Sequence, residues 1–371
     1  MSLSRHHAAR HGARGQTPAA ALAARPALTL SGGVLVLPAA VAFGTVQAQE
    51  RHPGYRHLLL PQARFARPCD TPGHLAPAGR ARLHVAPPGR SLADLAADAA
   101  LDLRDQLGSL RLARSTHVVV ASCALDERIG ASVVGRMQCE LGLRDAAPLA
   151  LGQNGTLGWY GALDLLDGML DEGEQALVIL SDKWLHPFVR QFGDLVGYGD
   201  AAAALLVSRE AGAPREPIRA GGQGANWGEL RGVALEFGPA IADPWCAAPE
   251  ALREALAPLA ARAIRRALEQ ARTPADTLDW CVPPGFDPAF VARVADAAAI
   301  PAGARVRHEL AGHLSSSDSA ASLIQLAASL DEGERRSVLV WDAALHGAAA
   351  AAVYDVTGGL HAALDIEGEA R

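Results

Sequence analysis

An internal repeat limits what this chain can fold into more than any other feature. Asp171-Glu172-Gly173-Glu174 returns 160 residues later as Asp331-Glu332-Gly333-Glu334, and the match continues upstream without a gap. Upstream, Leu170, Leu166, Leu163 and Gly152 meet Leu330, Leu326, Leu323 and Gly312. Downstream, with shifts in offset, "ALVIL" meets "SVLVW", and "GDAAAALLV" roughly meets "HGAAAAAVY". At nearly the same offset, "LARSTHVVVAS" parallels "PADTLDWCVPP". Chance in an alanine-rich chain does not explain a shared acidic turn in matching order and spacing. The chain therefore reads as one unit duplicated.

The unit is α/β. Ser91, with Asp94 three residues on, starts a helix whose apolar face is Leu92, Leu95, Ala96, Ala99, Leu103 and Leu107. "THVVVASC" is an apolar, β-branched run suited to a strand buried on both faces. A helix over 130–141, the strand "PLALGQ", a helix from near Leu157, and the strands "QALVILS" and "AAAALLVS" follow. Helices alternating with buried strands imply sheets covered on their faces. The division expected is a disordered tail over 1–26, an N-terminal half over 27–210, a linking segment over 211–250 and a C-terminal half over 251–371.

Composition narrows the function. A net charge of −6 and a pI near 6.1 argue against a protein that lives on nucleic-acid phosphates. The five cysteines (Cys69, Cys123, Cys139, Cys246, Cys281) are odd in number, widely spaced and without a CxxC pair, so neither a disulfide framework nor a zinc site is expected. No metal is expected from the histidines either. A cytoplasmic protein is the plain reading. The apolar stretch after Arg25 ends in Val46-Gln47-Ala48, which has the look of an export signal. Gly32, Gly33, Pro38 and Gly44 interrupt it, so "VLVLPAAVAF" reads instead as a core strand, a turn at Pro38 and a second apolar run.

A duplicated unit with these landmarks resembles ketosynthase III (β-ketoacyl-ACP synthase III-like enzymes), a branch of the thiolase superfamily, over roughly residues 90–365. "SLADLAADAAL" is similar to the family's early helix, and "THVVVAS" with "VVGRMQCELGL" to the strand and helix before the nucleophile. Tyr198-Gly199-Asp200-Ala201 is similar to its Phe-Gly-Asp-Gly strand. The resemblance implies a thiolase-like, five-layered αβαβα fold, internally duplicated.

It also implies where chemistry would sit. In the family a cysteine at a helix start is acylated, its thiol pKa lowered by the helix N-terminus, while a histidine and an asparagine assist decarboxylative condensation. The nucleophile motif, Cys-x-Gly-Phe followed by Ala-Leu, falls on Thr156-Leu157-Gly158-Trp159 with Ala162-Leu163, so Thr156 holds the cysteine position. A shifted register would place Asn154 or Gln153 there but loses Gly158 and the Ala-Leu pair. The Pro-His-Gln-Ala-Asn loop matches Val282-Pro283-Pro284-Gly285-Phe286-Asp287, which puts Pro284, without a titratable group or an N–H, at the histidine. The Gly-Asn-Thr-Ser-Ala-Ala-Ser loop resembles Ser316–Ser322, with Asp318 or Ser317 at the asparagine. Read from Gly312-His313 to Asp318, the same stretch resembles a "GH…D" version in relatives from specialised metabolism. The glycine-rich oxyanion loop is reduced to His346 and Gly347 in "DAALHGAAA".

Each residue also has an ordinary reading. Thr156 can be a helix N-cap and Asp318 a cap before "SAASLIQLAASL". His313 and His346 can line a core or pocket wall, and Trp159, Tyr160 and Cys123 can fill space. Three functions follow from the resemblance. The first is a catalytically degenerate subunit (a pseudoenzyme) of fatty-acid, polyketide or specialised-metabolite biosynthesis. It would be dimeric, with a cysteine-bearing ketosynthase III-like paralogue as partner or as a homodimer. The second is an acyltransferase using Thr156, with acyl-CoA or the phosphopantetheine of an acyl carrier protein as substrate. The third is a non-catalytic binder of acyl chains or of acyl carrier protein. A threonine hydroxyl needs an adjacent base, worth about 10²–10⁴-fold, to act as a nucleophile. Loss of both thiol and histidine favours the first. Neither a cofactor, a nucleic acid nor a membrane is expected among its partners.

Overall fold

The computed structural model describes residues 26–42, 82–123, 131–152, 154–184, 190–210, 226–241, 244, 247–360 and 363–366. Cys69, Cys246, Gln153, the expected tail up to residue 25 and positions 211–225 lie outside the described residues. The N-terminal half contributes β1 (Leu28–Leu37), β2 (Ala40–Ala42), β3 (Arg82–His84), α1 (Leu92–Leu107), β4 (His117–Ser122), α2 (Val133–Leu141) and β5 (Ala147–Gly152). It continues with α3 (Gly158–Met169), β6 (Gln175–Asp182), β7 (Gln191–Phe192), β8 (Val196–Gly197) and β9 (Ala201–Arg209). The rest of the chain supplies β10 (Asn226–Phe237), α4 (Pro249–Ala271), β11 (Trp280–Val282), α5 (Pro288–Ala297) and α6 (Asp318–Ser329). It ends with β12 (Arg335–Ala344), β13 (Ala348–Thr357) and β14 (Ala363–Ile366). β10 falls inside the segment read as linking the halves.

The strands lie in the order β11-β12-β13-β10-β1-β9-β6-β4-β5, with β14 beside β1. Two half-sheets, β1-β9-β6-β4-β5 and β10-β13-β12-β11, meet through the antiparallel β1–β10 pair, Thr29 opposite Glu229. The duplication is therefore physical. α3 and α6 are 160 residues apart at both ends, and so are the 3₁₀ turns that precede them, Gly155–Leu157 and Ser315–Ser317.

Strand alternation sets the layers. On β9, Ala202, Ala204 and Leu206 pack with α1 and α2, whereas Ala203, Leu205 and Val207 join the central cluster around α3 and α6. On β13, Ala349, Ala351 and Val353 pack with α4 and α5, and Ala350, Ala352 and Tyr354 face the central cluster. Helix, sheet, helix, sheet, helix is the five-layered arrangement of the thiolase-like class. Alanine on both faces of β9 and β13 lets helices approach the sheets closely, which explains an apolar chain with few aromatics.

Local signals hold where they are strong. Ser91 and Asp94 form a reciprocal capping box on α1. The apolar stretch forms β1, buried along nearly its whole length, and Pro38 separates it from β2. Among the described residues no helix is long and apolar enough to cross a membrane.

Candidate functional site

The two 3₁₀ turns face each other between the half-sheets. Gly158 makes this possible: a Cβ there would lie 2.9 Å from the Ser316 Cβ and 3.1 Å from that of Ala121. Thr156, 2% exposed, sits in the first turn. Its hydroxyl donates to the Ala343 carbonyl on β12 at 3.3 Å and makes no cap bond to α3. The expected capping role is thus corrected: the 3₁₀ turn runs straight into the helix, so the side chain faces the neighbouring strand and not the helix's free N–H groups. The Thr156 Oγ is spent as a donor, in a turn that carries no charged side chain.

The second turn is held by buried charge. Asp182, at the end of β6, accepts from the Ser316 amide at 2.8 Å and from its hydroxyl, and its other oxygen accepts from the Cys123 amide at 2.6 Å. Asp318 opens α6, and it too is no cap, because its carboxylate reaches backward and across. It takes the Leu314 amide at 2.7 Å and the Gly285 amide at 3.1 Å, with His308 Nε2 3.2 Å away. Burial alone would raise its carboxyl, but His308 and the Leu314 amide, which it accepts from, hold it well below the usual carboxylate range.

His313 is fully buried between these groups. Its Nδ1 accepts from the Ser315 amide at 3.0 Å, which places the ring proton on Nε2, 3.0 Å from Asp342 Oδ1. Tyr198 and Phe286 meet the imidazole edge-on at 5.3 and 5.2 Å. Burial pushes the Asp342 carboxyl up against the pull of His313. Its Oδ2 is buried with no hydrogen-bond partner. Behind this cluster Asp200 forms a buried bidentate pair with Arg190, at 2.6 and 3.0 Å, and accepts the Trp184 amide.

Thr156 lies in the first of the two facing turns and Asp318 directly follows the second, whereas Pro284 has no side-chain donor and its carbonyl accepts from the Phe286 amide at 2.7 Å. Gly347, expected at an oxyanion loop, has its amide bound to the Ala344 carbonyl. The Gly347 and His346 carbonyls are taken by the Gly238 and Ile241 amides. His346 is half-buried and burial lowers its pKa. Trp159 and Tyr160 are core residues, bonded to the Tyr354 hydroxyl and to Ser319. Burial and the neighbouring Asp182 and Asp342 push the Cys123 thiol up, away from a reactive thiolate.

The residues missed from sequence are Asp182 and Asp342. They stand 160 apart, just beyond the strands already matched, so carrying the offset of the acidic turns forward would have paired them.

No protein-family model and no curated protein sequence gives a match. Solved structures do. ChlB3, an acyltransferase, aligns with a TM-score of 0.65 at 17% identity over 90% of this chain and 99% of its own. The 3-oxoacyl-(acyl carrier protein) synthase III of Pseudomonas aeruginosa PAO1 gives 0.61 at 19% identity over 90% and 99%. The priming β-ketosynthase of the R1128 polyketide pathway gives 0.62 at 15% identity over 90% and 98%. The class is settled by these alignments together with the layers and the repeat: this is a thiolase-type fold. Within that class, the chain is similar in fold to ketosynthase III structures along nearly its whole length.

Proposed function

We propose that this chain is a catalytically degenerate, ketosynthase III-like subunit of a biosynthetic enzyme and works paired with a cysteine-bearing paralogue. One observation carries the reading: every group at the family's catalytic positions is chemically committed or inert. Thr156 donates to a carbonyl, Pro284 has no donor, and Asp318 is surrounded by amides and histidines. Both nitrogens of His313 are engaged as well, so no free base faces the threonine. β5 supports the pairing. Among the described residues it bonds only to β4, and Ala147, Pro148, Ala150 and Gly152 stand exposed along it. Such an apolar edge calls for a partner. Pro148 is tolerated because the strand lies at the sheet's edge.

One observation favours the acyltransferase reading instead. The His313–Asp342 pair lies one residue from the carbonyl that Thr156 contacts, and Asp342 has an oxygen to spare. In that reaction the threonine oxygen would attack the thioester carbonyl of acyl-CoA or acyl carrier protein. The sulfur would leave as a thiol, taking the hydroxyl proton.

Intact-mass measurement separates the two. With saturating octanoyl-CoA or octanoyl carrier protein, the degenerate subunit gains no acyl mass, and native spectra show a dimer. An adduct on the peptide containing Thr156 that vanishes in Thr156→Ala, formed within the time of a turnover, would replace this proposal by the acyltransferase. A monomer that ignores a co-expressed paralogue would remove the pairing.

A further inference from the structure

On the outer side of the C-terminal half, α5 and the segment 305–312 enclose a cleft of about 710 Å³. Thr156 and His346 do not line it. The segment is fixed by β-type pairing, since Arg305 bridges to Cys281 and the Val306 amide donates to the Cys281 carbonyl at 3.2 Å. Extended backbone then sorts the side chains. Arg305 and Arg307 are exposed at the rim, whereas Val306 and His308 are half-buried. Arg82 completes the rim from the end of β3.

The charge is one-sided. Three guanidinium groups and one imidazole line the cleft, and among the described residues no carboxylate does. Arg305 is partly neutralised by Asp296 at 2.8 Å, and Arg82 rests on the Ala40 carbonyl. Arg307 has no hydrogen bond or ion pair among the described residues. Elsewhere the lining is apolar, with Val291, Leu310 and Trp341 along the walls and floor. The size matches a small-molecule site.

We propose that this cleft binds an amphipathic organic carboxylate, its anionic head held at Arg307 and Arg82 and its apolar chain against α5. An apolar chain alone would not use the rim, and an inorganic anion would leave the walls uncovered. A cation is excluded by repulsion. Pro284 and His308, the latter beside Asp318, stand in the lining, but Thr156 and the two turns do not, so the site does not depend on the reading of Thr156.

Calorimetric titration with octanoate, octan-1-ol and octylammonium tests it on the full chain. Octanoate should bind, more weakly at high salt, and octylammonium should not. Ala292 is an exposed cleft residue, so Ala292→Trp fills the space without touching the core and should abolish binding. Arg307→Gln should weaken octanoate by about fivefold, as expected for a half-solvated ion pair. Arg307→Glu, again at an exposed position, should remove binding. Octanol binding as tightly as octanoate would overturn the proposal. So would octanoate binding unchanged in Ala292→Trp and Arg307→Glu.

Discussion

The turns before α3 and α6 share one backbone but are held in different ways. Gly155 has φ +55° and Ser315 has φ +54°, the left-handed conformation at equivalent repeat positions. At the first turn glycine meets that conformation without strain. At the second a serine adopts it, and the Trp184 indole N–H donates to its hydroxyl at 2.9 Å. The next position repeats the contrast. Ser316 is bound by Asp182, while its counterpart Thr156 is left by Asp342 and settles for the Ala343 carbonyl. Asp342 has turned to His313. Buried carboxylates tie down the turn of the C-terminal half, whereas the turn that holds Thr156 has no such partner. Charge here ties loops together, whereas an activated hydroxyl would need a base of its own.

Exchanging the two aspartates for asparagine should break the symmetry most visibly. Both Asp182 oxygens receive N–H donors, so one amide group of Asp182→Asn must oppose a donor. We expect a loss of about 3 kcal/mol in urea unfolding, typical of a buried polar pair broken on one side. Asp342 receives donors only at Oδ1. Asp342→Asn can turn its NH₂ toward the empty side and should stay within about 1 kcal/mol of the parent. Equal losses would show that the two positions are equivalent in energy as well as in sequence.

The pH dependence sharpens the same contrast. Asp318 is held below its ordinary value of 3.8, so in the acid range the unfolded chain binds more protons at this residue than the folded one. Its contribution is present above that value and is lost as pH falls below about 4. Asp342 is raised, so the folded state keeps the proton longer and stability declines as pH rises above 3.8. Asp318→Asn should therefore remove the acid-side loss. Asp342→Asn should flatten the decline toward neutral pH. Urea midpoints measured from pH 3 to pH 7 give both slopes, and a parallel pair of curves would count against the assignment.

Much of the fold was legible because its signals are local or periodic. The acidic turns, the Leu163–Leu323 register and the alanine runs are carried by neighbours in sequence, and each became a matching element. The site was less legible because its bonds span the chain. Asp182 meets Ser316 across 134 residues, and Thr156 meets Ala343 across 187. Nothing next to Thr156 in sequence says whether its hydroxyl caps α3 or crosses to β12. Propensity favoured a cap, and the direct run of a 3₁₀ turn into α3 overrode it. Asp318 misled for a related reason: an acidic residue at a helix start reads as a cap, yet the amides it serves belong to Leu314 and Gly285.

The smallest effect concerns the paired hydroxyls. Ser316→Ala removes a charge-assisted bond to Asp182 and leaves that carboxylate with one donor fewer, a cost of about 2 kcal/mol. Thr156→Val keeps the shape and removes only the 3.3 Å bond to a neutral carbonyl, so it should cost about 0.5–1 kcal/mol. Thr156→Ser keeps the hydroxyl, gives up one methyl group in a buried turn and should lie within about 1 kcal/mol of the parent. If Thr156 only packs, any activity of a complex with a partner should follow these stability changes and go no further. Thermal unfolding and turnover of the assembled complex, measured on the same three variants, would show it. If Thr156→Val unfolded normally but abolished turnover while Thr156→Ser retained it, the hydroxyl would be doing chemistry, and the uncharged first turn would have to be read as the working one.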